Sequence, residues 1–240
     1  MTFADWTRAP NIAEHPEIYE RENEAIARDG RLDAALREVA DWTGRELLDI
    51  GCGTGFWLPR YGQDAASVVG VEPDPELLAR ARERVAREEN IDVRAGSAEH
   101  LPLPADSVDL AHARFAYFFG AGADTGLAEA ARVLRPDGTL VVVDNAWTHG
   151  EFAELLHEST EGNAAVDPDA TDRWWRERGS RRIDVEGGWS CRSAEELETI
   201  LRIEFPDDVI DRFLAGREPS PHLSYGYALF VWPATGGGPR

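Results

Sequence analysis

Apolar residues recur along the chain at two spacings, one helical and one of short continuous runs. Over residues 11–42, Ile12, Ile18, Ile26, Leu32, Leu36 and Val39 fall at loosely helical intervals, with a break near Asp29-Gly30. These residues predict a helical cap ahead of the first strand. Glu46-Leu47-Leu48-Asp49-Ile50 is a short apolar strand that enters the turn Gly51-Cys52-Gly53-Thr54-Gly55, and Phe56 to Tyr61 starts a helix. Residues 67–71 make a second strand ending at Glu72. Helix is predicted from Pro75 to Glu89, with Pro75 suited to a first turn and Leu77, Leu78, Ala81 and Val85 as its apolar stripe. Ile91 to Arg94 is a third strand and Val108 to Ala113 a fourth. A helix over 124–134, with Leu127, Ala131 and Leu134 inward, leads to a fifth strand, Thr139 to Asp144. Strand and helix alternate, so a mostly parallel sheet covered on both faces is expected.

After Asn145 the rhythm changes. Residues 150–180 are polar and helical, with Trp174 and Trp175, and read as an insertion over the active site. Arg182-Ile183-Asp184-Val185, a helix from Ala194 to Arg202 and an apolar strand from Tyr225 to Trp232 follow, before a tail expected to fray. The expected organisation is one domain over 1–240. Its parts are a helical cap at 1–43, a ligand-binding core at 44–146, a helical insertion at 147–181, C-terminal strands and helix at 182–233, and a tail at 234–240.

Composition narrows the partners. The 240 residues are 42% hydrophobic, enough for a substantial core. Forty-five acidic residues against 25 basic ones give a formal charge of −20, and every basic residue is arginine. Nucleic acid is disfavoured, because arginines are interleaved with carboxylates, as in Arg80-Ala81-Arg82-Glu83-Arg84, and form no cationic face. Cys52 and Cys191 are too few for a disulfide framework and lack the spacing of a zinc site, so no metal is expected. The start of the chain has no basic segment before an apolar run, and no stretch approaches a membrane helix of about 18 apolar residues. A reduced, cytoplasmic setting without membrane attachment is expected, and a homodimer is an open assembly.

In an open parallel sheet, ligands bind at the carboxyl ends of the strands where chain order switches direction. The first strand ends at the glycine turn, where a ligand can lie against bare main chain. A dinucleotide fingerprint reads G-x-G-x-x-G and brings a helix N-terminus onto a pyrophosphate. This turn reads G-x-G-x-G and continues with bulky Phe56-Trp57-Leu58. Glu72 stands at the end of the second strand, the position from which a carboxylate accepts hydrogen bonds from ribose hydroxyls in either class of cofactor.

Four ordered motifs resemble those of the class I S-adenosylmethionine-dependent methyltransferases, particularly the small-molecule type with a domain 11 pattern. They are Leu47 to Gly55, Gly70-Val71-Glu72-Pro73-Asp74, Gly96 to Pro104 followed by Asp106-Ser107-Val108-Asp109, and Ala131 to Leu140. The resemblance implies a Rossmann-like α/β fold with a mostly parallel seven-stranded sheet, and S-adenosyl-L-methionine as cofactor. Gly51 and Gly53 would pass beneath the methionine part, with Cys52 between them also counted as cofactor-binding, Glu72 would hold the ribose, Pro73 would pack on the adenine face, and Ser97-Ala98-Glu99 would meet its edge. The family often has aspartate where Ser97 stands, which shifts the expected adenine contact to Ala98 main chain or Glu99. Asp49 has two readings, cofactor contact or a hydrogen bond to the turn backbone. Ala113, Arg114 and Phe115 follow the fourth strand, where the family places residues beside the reactive methyl. Arg114 would grip the cofactor carboxylate or an anionic substrate, or form a surface ion pair.

Methyl transfer is an in-line displacement that asks chiefly for alignment and exclusion of water. Where the acceptor needs a base, His112, Asp144 and His149 lie at or just beyond strand ends, each a weak candidate without a visible partner. Trp6, Tyr19, Phe115, Tyr117, Phe118, Phe119, Trp147, Trp174 and Trp175 suggest an aromatic pocket for a small organic acceptor, with Phe118 and Phe119 better read as core packing. Two rival readings remain at this stage, a dinucleotide-dependent oxidoreductase and a non-catalytic or regulatory protein that binds S-adenosylmethionine.

Overall fold

The computed structural model describes residues 9–120, 122–161, 163 and 167–234. Seven strands form one sheet: β1 (Glu46–Ile50), β2 (Ser67–Glu72), β3 (Ile91–Ala95), β4 (Val108–Arg114), β5 (Leu134–Asn145), β6 (Arg181–Ser190) and β7 (His222–Pro233), in the order β3-β2-β1-β4-β5-β7-β6. The first five run parallel. β7 is antiparallel to both of its neighbours, β5 and β6. Leu47, Leu48 and Ile50 of β1 and Leu140 to Val143 of β5 are buried, as continuous apolar runs must be when helices cover both faces.

On one face lie α1 (Pro10–Glu14), α2 (Pro16–Asp29), α3 (Arg31–Val39), α4 (Leu58–Gly62), α5 (Pro75–Arg84), α9 (Ala194–Glu204) and α10 (Asp207–Leu214), whose core includes Ile26, Leu36, Leu58, Ile200 and Ile210. The opposite face is closed by α6 (Asp124–Val133) and α8 (Ala170–Glu177), through Leu127, Ala130, Trp174 and Trp175. α7 (Glu151–Ser159) packs on β7. No helix among the described residues is long and apolar enough to cross a membrane.

Several elements differ from the sequence pattern for identifiable reasons. The N-terminal helical stretch is three helices. Pro16 restarts the chain at the first position of α2, and Gly30, at φ +74°, ends that helix as anticipated. The helix predicted to Glu89 stops at Arg84, where Val85 leaves helical geometry. In α6, Ala130 and Val133 face the core while Ala131 is exposed. β5 begins at Leu134, ahead of Thr139, with Asp137 at φ +70° and a register shift against β4. β6 runs on past Val185 through Gly187 and Gly188, and both glycines are needed there. A Cβ on Gly187 would stand 2.8 Å from the Tyr227 ring, and one on Gly188 2.6 Å from the Leu223 carbonyl oxygen. α10 was not anticipated. It buries Val209, Ile210 and Phe213 in little more than two turns, too short a stripe to stand out.

Candidate active site

The chain moves outward from β1 to β2 and β3, then crosses back to β4 on the other side of β1. A crevice opens at that reversal, beyond the carboxyl ends of β1 and β4. The glycine turn lies in it. Gly51 and Gly53 have φ of +74° and +57°. A Cβ on Gly51 would stand 2.7 Å from Ala116 Cβ, and one on Gly53 2.8 Å from Ile12 Cδ1. The turn therefore needs glycine both for its dihedrals and for the close approach of α1 and the loop after β4.

Glu72 closes the turn from the β2 side. Its Oε2 accepts the Gly53 N–H at 2.8 Å and its Oε1 accepts the Asp74 N–H at 2.9 Å. The side chain is buried, and burial pushes the carboxyl up to about 7 against the pull of those two donors. Asp74 caps α5 by accepting the Glu76 N–H at 2.8 Å and the Leu77 N–H at 3.3 Å, and Pro75 occupies the first helical position.

A cavity of about 460 Å³ opens against this corner. Gly51, Gly53, Glu72 and Pro73 line it, as do Ser97, Ala98, Glu99 and Arg114. Asp49 and Cys52 line a smaller adjoining space of about 40 Å³ together with Gly51, Gly53 and Arg114. Asp49 makes no hydrogen bond to the turn backbone among the described residues, and burial pushes its carboxyl up to about 7. Burial also raises the Cys52 thiol. Ala113 lines neither space. Side chains alternate along β4, so Ala113 joins the core behind the sheet while Arg114 faces the crevice.

Arg114 is engaged by protein groups. Its Nη2 donates to Asp33 Oδ1 of α3 at 2.9 Å, its Nη1 donates to the Tyr61 hydroxyl at 3.3 Å, and its guanidinium carbon lies 3.7 Å from the Trp57 ring centroid. The Arg114 side chain is 6% exposed, so this is a buried ion pair and not a surface one. It ties the cap to the end of β4.

The three candidate bases lie off the wall of both spaces. His112 is sealed between Trp42 and Tyr61, its two ring nitrogens have no hydrogen-bond partner, and burial pushes it down to about 3. Asp144 is buried, accepts the Asn145 N–H at 2.7 Å, and is pushed up to about 6. His149 meets the Thr148 hydroxyl through Nδ1 and packs on Gly226.

Of the aromatic residues, Tyr19, Phe115, Tyr117 and Phe119 line the larger cavity. Phe118 is core, as expected, but Phe119 is 54% exposed on the cavity wall, because the loop turns over with Tyr117 at φ +60°. Trp174 and Trp175 are buried near Phe118 and Phe230, Trp147 lies against His157, and Trp6 falls outside the described residues. No described residue of 147–181 lines the cavity. The insertion packs on the sheet and meets the cavity rim through Thr171 Oγ1, which donates to the Phe119 carbonyl at 2.8 Å.

The cover comes from the cap. Asn11 and Ile12 of α1 and Tyr19 of α2 line the cavity, and none of the three was assigned a cofactor role from sequence. α2 is fastened to the glycine turn by Glu20, which accepts from the Thr54 hydroxyl and from Arg84, and by Asn23, which accepts the Trp57 indole N–H at 2.9 Å. Ile12 carried an apolar signal, but nothing local names Gly53 as its partner.

The methyltransferase-domain family profile matches residues 48–142, the span from β1 to β5. A methyltransferase-like protein of Schizosaccharomyces pombe is 33% identical over 181 residues, covering 68% of each chain. The chain belongs to the S-adenosylmethionine-dependent methyltransferases. A demethylmenaquinone methyltransferase of Tropheryma whipplei is 35% identical to this methyltransferase over 111 residues, 46% of each chain. The match spans about half the length of the first curated relatives. Among solved structures, the YcgJ protein of Bacillus subtilis shares the methyltransferase fold with a TM-score of 0.58 at 19% identity, over 85% of this chain and 97% of that one.

Proposed function

We propose that this methyltransferase moves a methyl group from S-adenosylmethionine to a small organic acceptor. The observation that carries the reading is the corner formed by Glu72 and the glycine turn, a buried carboxylate beside bare main chain on the wall of a cavity of nucleoside size. The donor set fits a cationic nucleoside cofactor. Glu72, Asp74 and Glu99 line the cavity, and the helix end that could attract a pyrophosphate is already capped by Asp74.

In this reading Glu72 accepts from the ribose hydroxyls, using lone pairs left free by the backbone donors. Pro73 and the Ser97 to Glu99 segment hold the adenine, and Gly51 and Gly53 give the methionine part room against the backbone. Asp49, in the adjoining space, offers a carboxylate to an ammonium group. S-adenosylmethionine supplies a methyl carbon on a positively charged sulfur, already activated for in-line displacement. The cap helices α1 and α2 cover one side of the cavity, and exclusion of water there strengthens electrostatic contacts within it. His112, Asp144 and His149 are not proposed as the base, since each lies behind the cavity wall.

A small organic acceptor is favoured by the cavity size and by the charge of −20, and the Tropheryma relative is named for an organic acceptor, demethylmenaquinone, and not for a nucleic acid. Calorimetric titration with S-adenosylmethionine, followed by mass spectrometry of a panel of small acceptors, tests the reading. Absence of cofactor binding overturns it, and so does methylation of RNA without methylation of any small molecule.

A further inference from the structure

Two aromatic residues, Tyr19 and Phe115, line both the larger cavity and the smaller space beside the glycine turn, and of the two only Tyr19 carries a polar group to where the spaces adjoin. Its hydroxyl has no hydrogen-bond partner among the described residues. The Tyr117 hydroxyl, by contrast, donates to Glu99 Oε1 at 2.8 Å and receives the Gly126 N–H at 3.3 Å. Burial and the nearby Glu22 and Glu204 carboxyl groups keep the Tyr19 phenol protonated. Tyr19 is thus a neutral donor without a partner among the described residues, at the junction of the two spaces.

The charges facing the cavity are unequal. Glu72, Asp74 and Glu99 line it, and Arg114 is the one cation among its described lining residues. That guanidinium is already neutralised by Asp33 and stacked on Trp57. The N-terminus of α5, which opens at the cavity, is occupied by the Asp74 carboxylate. An anionic ligand would enter beside three carboxylates and would find no free side-chain cation among the described lining residues, and burying an unpaired charge is costly.

Resting on the methyl-transfer reading above, we propose that the acceptor is an uncharged, largely apolar molecule. It takes a hydrogen bond from the Tyr19 hydroxyl onto a heteroatom lone pair and packs against Phe115 and Phe119. Carboxylates and phosphates are rejected. Tyr19 provides the polar contact and Phe119, exposed on the cavity wall, provides apolar area that solvent now covers.

The test uses the whole chain saturated with S-adenosylhomocysteine, so that no turnover occurs, and two probes with the same ring system, 2-naphthol and 2-naphthoate. Calorimetry at pH 7 is expected to show 2-naphthol binding, with 2-naphthoate weaker by about ten-fold or more. Tyr19→Phe is expected to weaken 2-naphthol by about five-fold, the loss of one hydrogen bond. Equal or tighter binding of 2-naphthoate, no binding of 2-naphthol, or an unchanged affinity in Tyr19→Phe overturns the assignment while leaving the cofactor reading standing. Failure of S-adenosylhomocysteine itself to bind overturns both.

Discussion

The Glu72 carboxylate accepts the Gly53 N–H at 2.8 Å, so the end of β2 holds the glycine turn in shape from across the crevice. The same carboxylate is the proposed ribose acceptor, and it serves both purposes because its two oxygens carry more lone pairs than backbone donors use. Glu72→Ala is expected to weaken S-adenosylhomocysteine binding by about 1–3 kcal/mol, the usual loss for hydrogen bonds to a charged group. Titration calorimetry reads this directly, and an unchanged affinity refutes the ribose assignment.

Glu72 and Asp49 are both pushed up to about 7 by burial. A carboxyl group raised in the folded state favours its protonated form there. The stability it lends is present below the ordinary carboxyl range and is lost as pH rises through about 7. Ligand hydroxyl or ammonium donors favour the ionised form, so cofactor binding is expected to strengthen from pH 6 to pH 8 and to release protons near pH 7. Calorimetry in two buffers of different ionisation enthalpy measures the release, and Glu72→Gln should reduce it. Proton uptake on binding would contradict this account.

Asp33 and Arg114 form a pair with unequal burial, the Asp33 side chain being 28% exposed and that of Arg114 6%. Removing Arg114 leaves a carboxylate that water can reach. Removing the Asp33 charge strands a guanidinium that water cannot. Asp33→Asn is therefore expected to cost more than Arg114→Met, with the former at about 3 kcal/mol, the low end for a broken buried pair. Urea unfolding of the two variants tests the order, and the reverse order would show that the Trp57 stack outweighs the ion pair.

Gly53→Ala combines a dihedral at φ +57° with a Cβ placed 2.8 Å from Ile12. Stability is expected to fall by about 1–3 kcal/mol. α1 should also lift, which proteolysis within residues 10–30 would detect. Adding Ile12→Ala is expected to restore protection of α1 without restoring the dihedral part of the loss. Unaltered cleavage in the single variant would show that the cap does not rest on the turn.

The sheet core and the corner between Glu72 and the glycine turn were legible in the sequence because their signals are local. Leu47 to Gly55 and Gly70 to Asp74 each carry strand, turn and acid within ten residues, and residues 48–142 match the family profile. The cap's contacts were not legible, because Ile12 on Gly53, Asp33 on Arg114 and Glu20 on Thr54 join residues distant in sequence, and composition does not name a distant partner. Ala113 was misplaced for a different reason. Choosing between it and Arg114 requires the strand's register, and a one-residue change in facing exchanges core and crevice. The extension of β6 past Val185 was not legible either, because the groups that require Gly187 and Gly188, the Tyr227 ring and the Leu223 carbonyl, lie on another strand.

β7 lies between β5 and β6, although β6 precedes it along the chain. During synthesis, residues 181–190 emerge with no strand to join and wait until residues 222–233 have left the ribosome. The parallel portion can assemble as soon as β5 is out, with its β5 edge bare. A nascent chain paused between these points would carry a formed glycine turn beside an open row of backbone donors and acceptors, the surface a chaperone would have to shield.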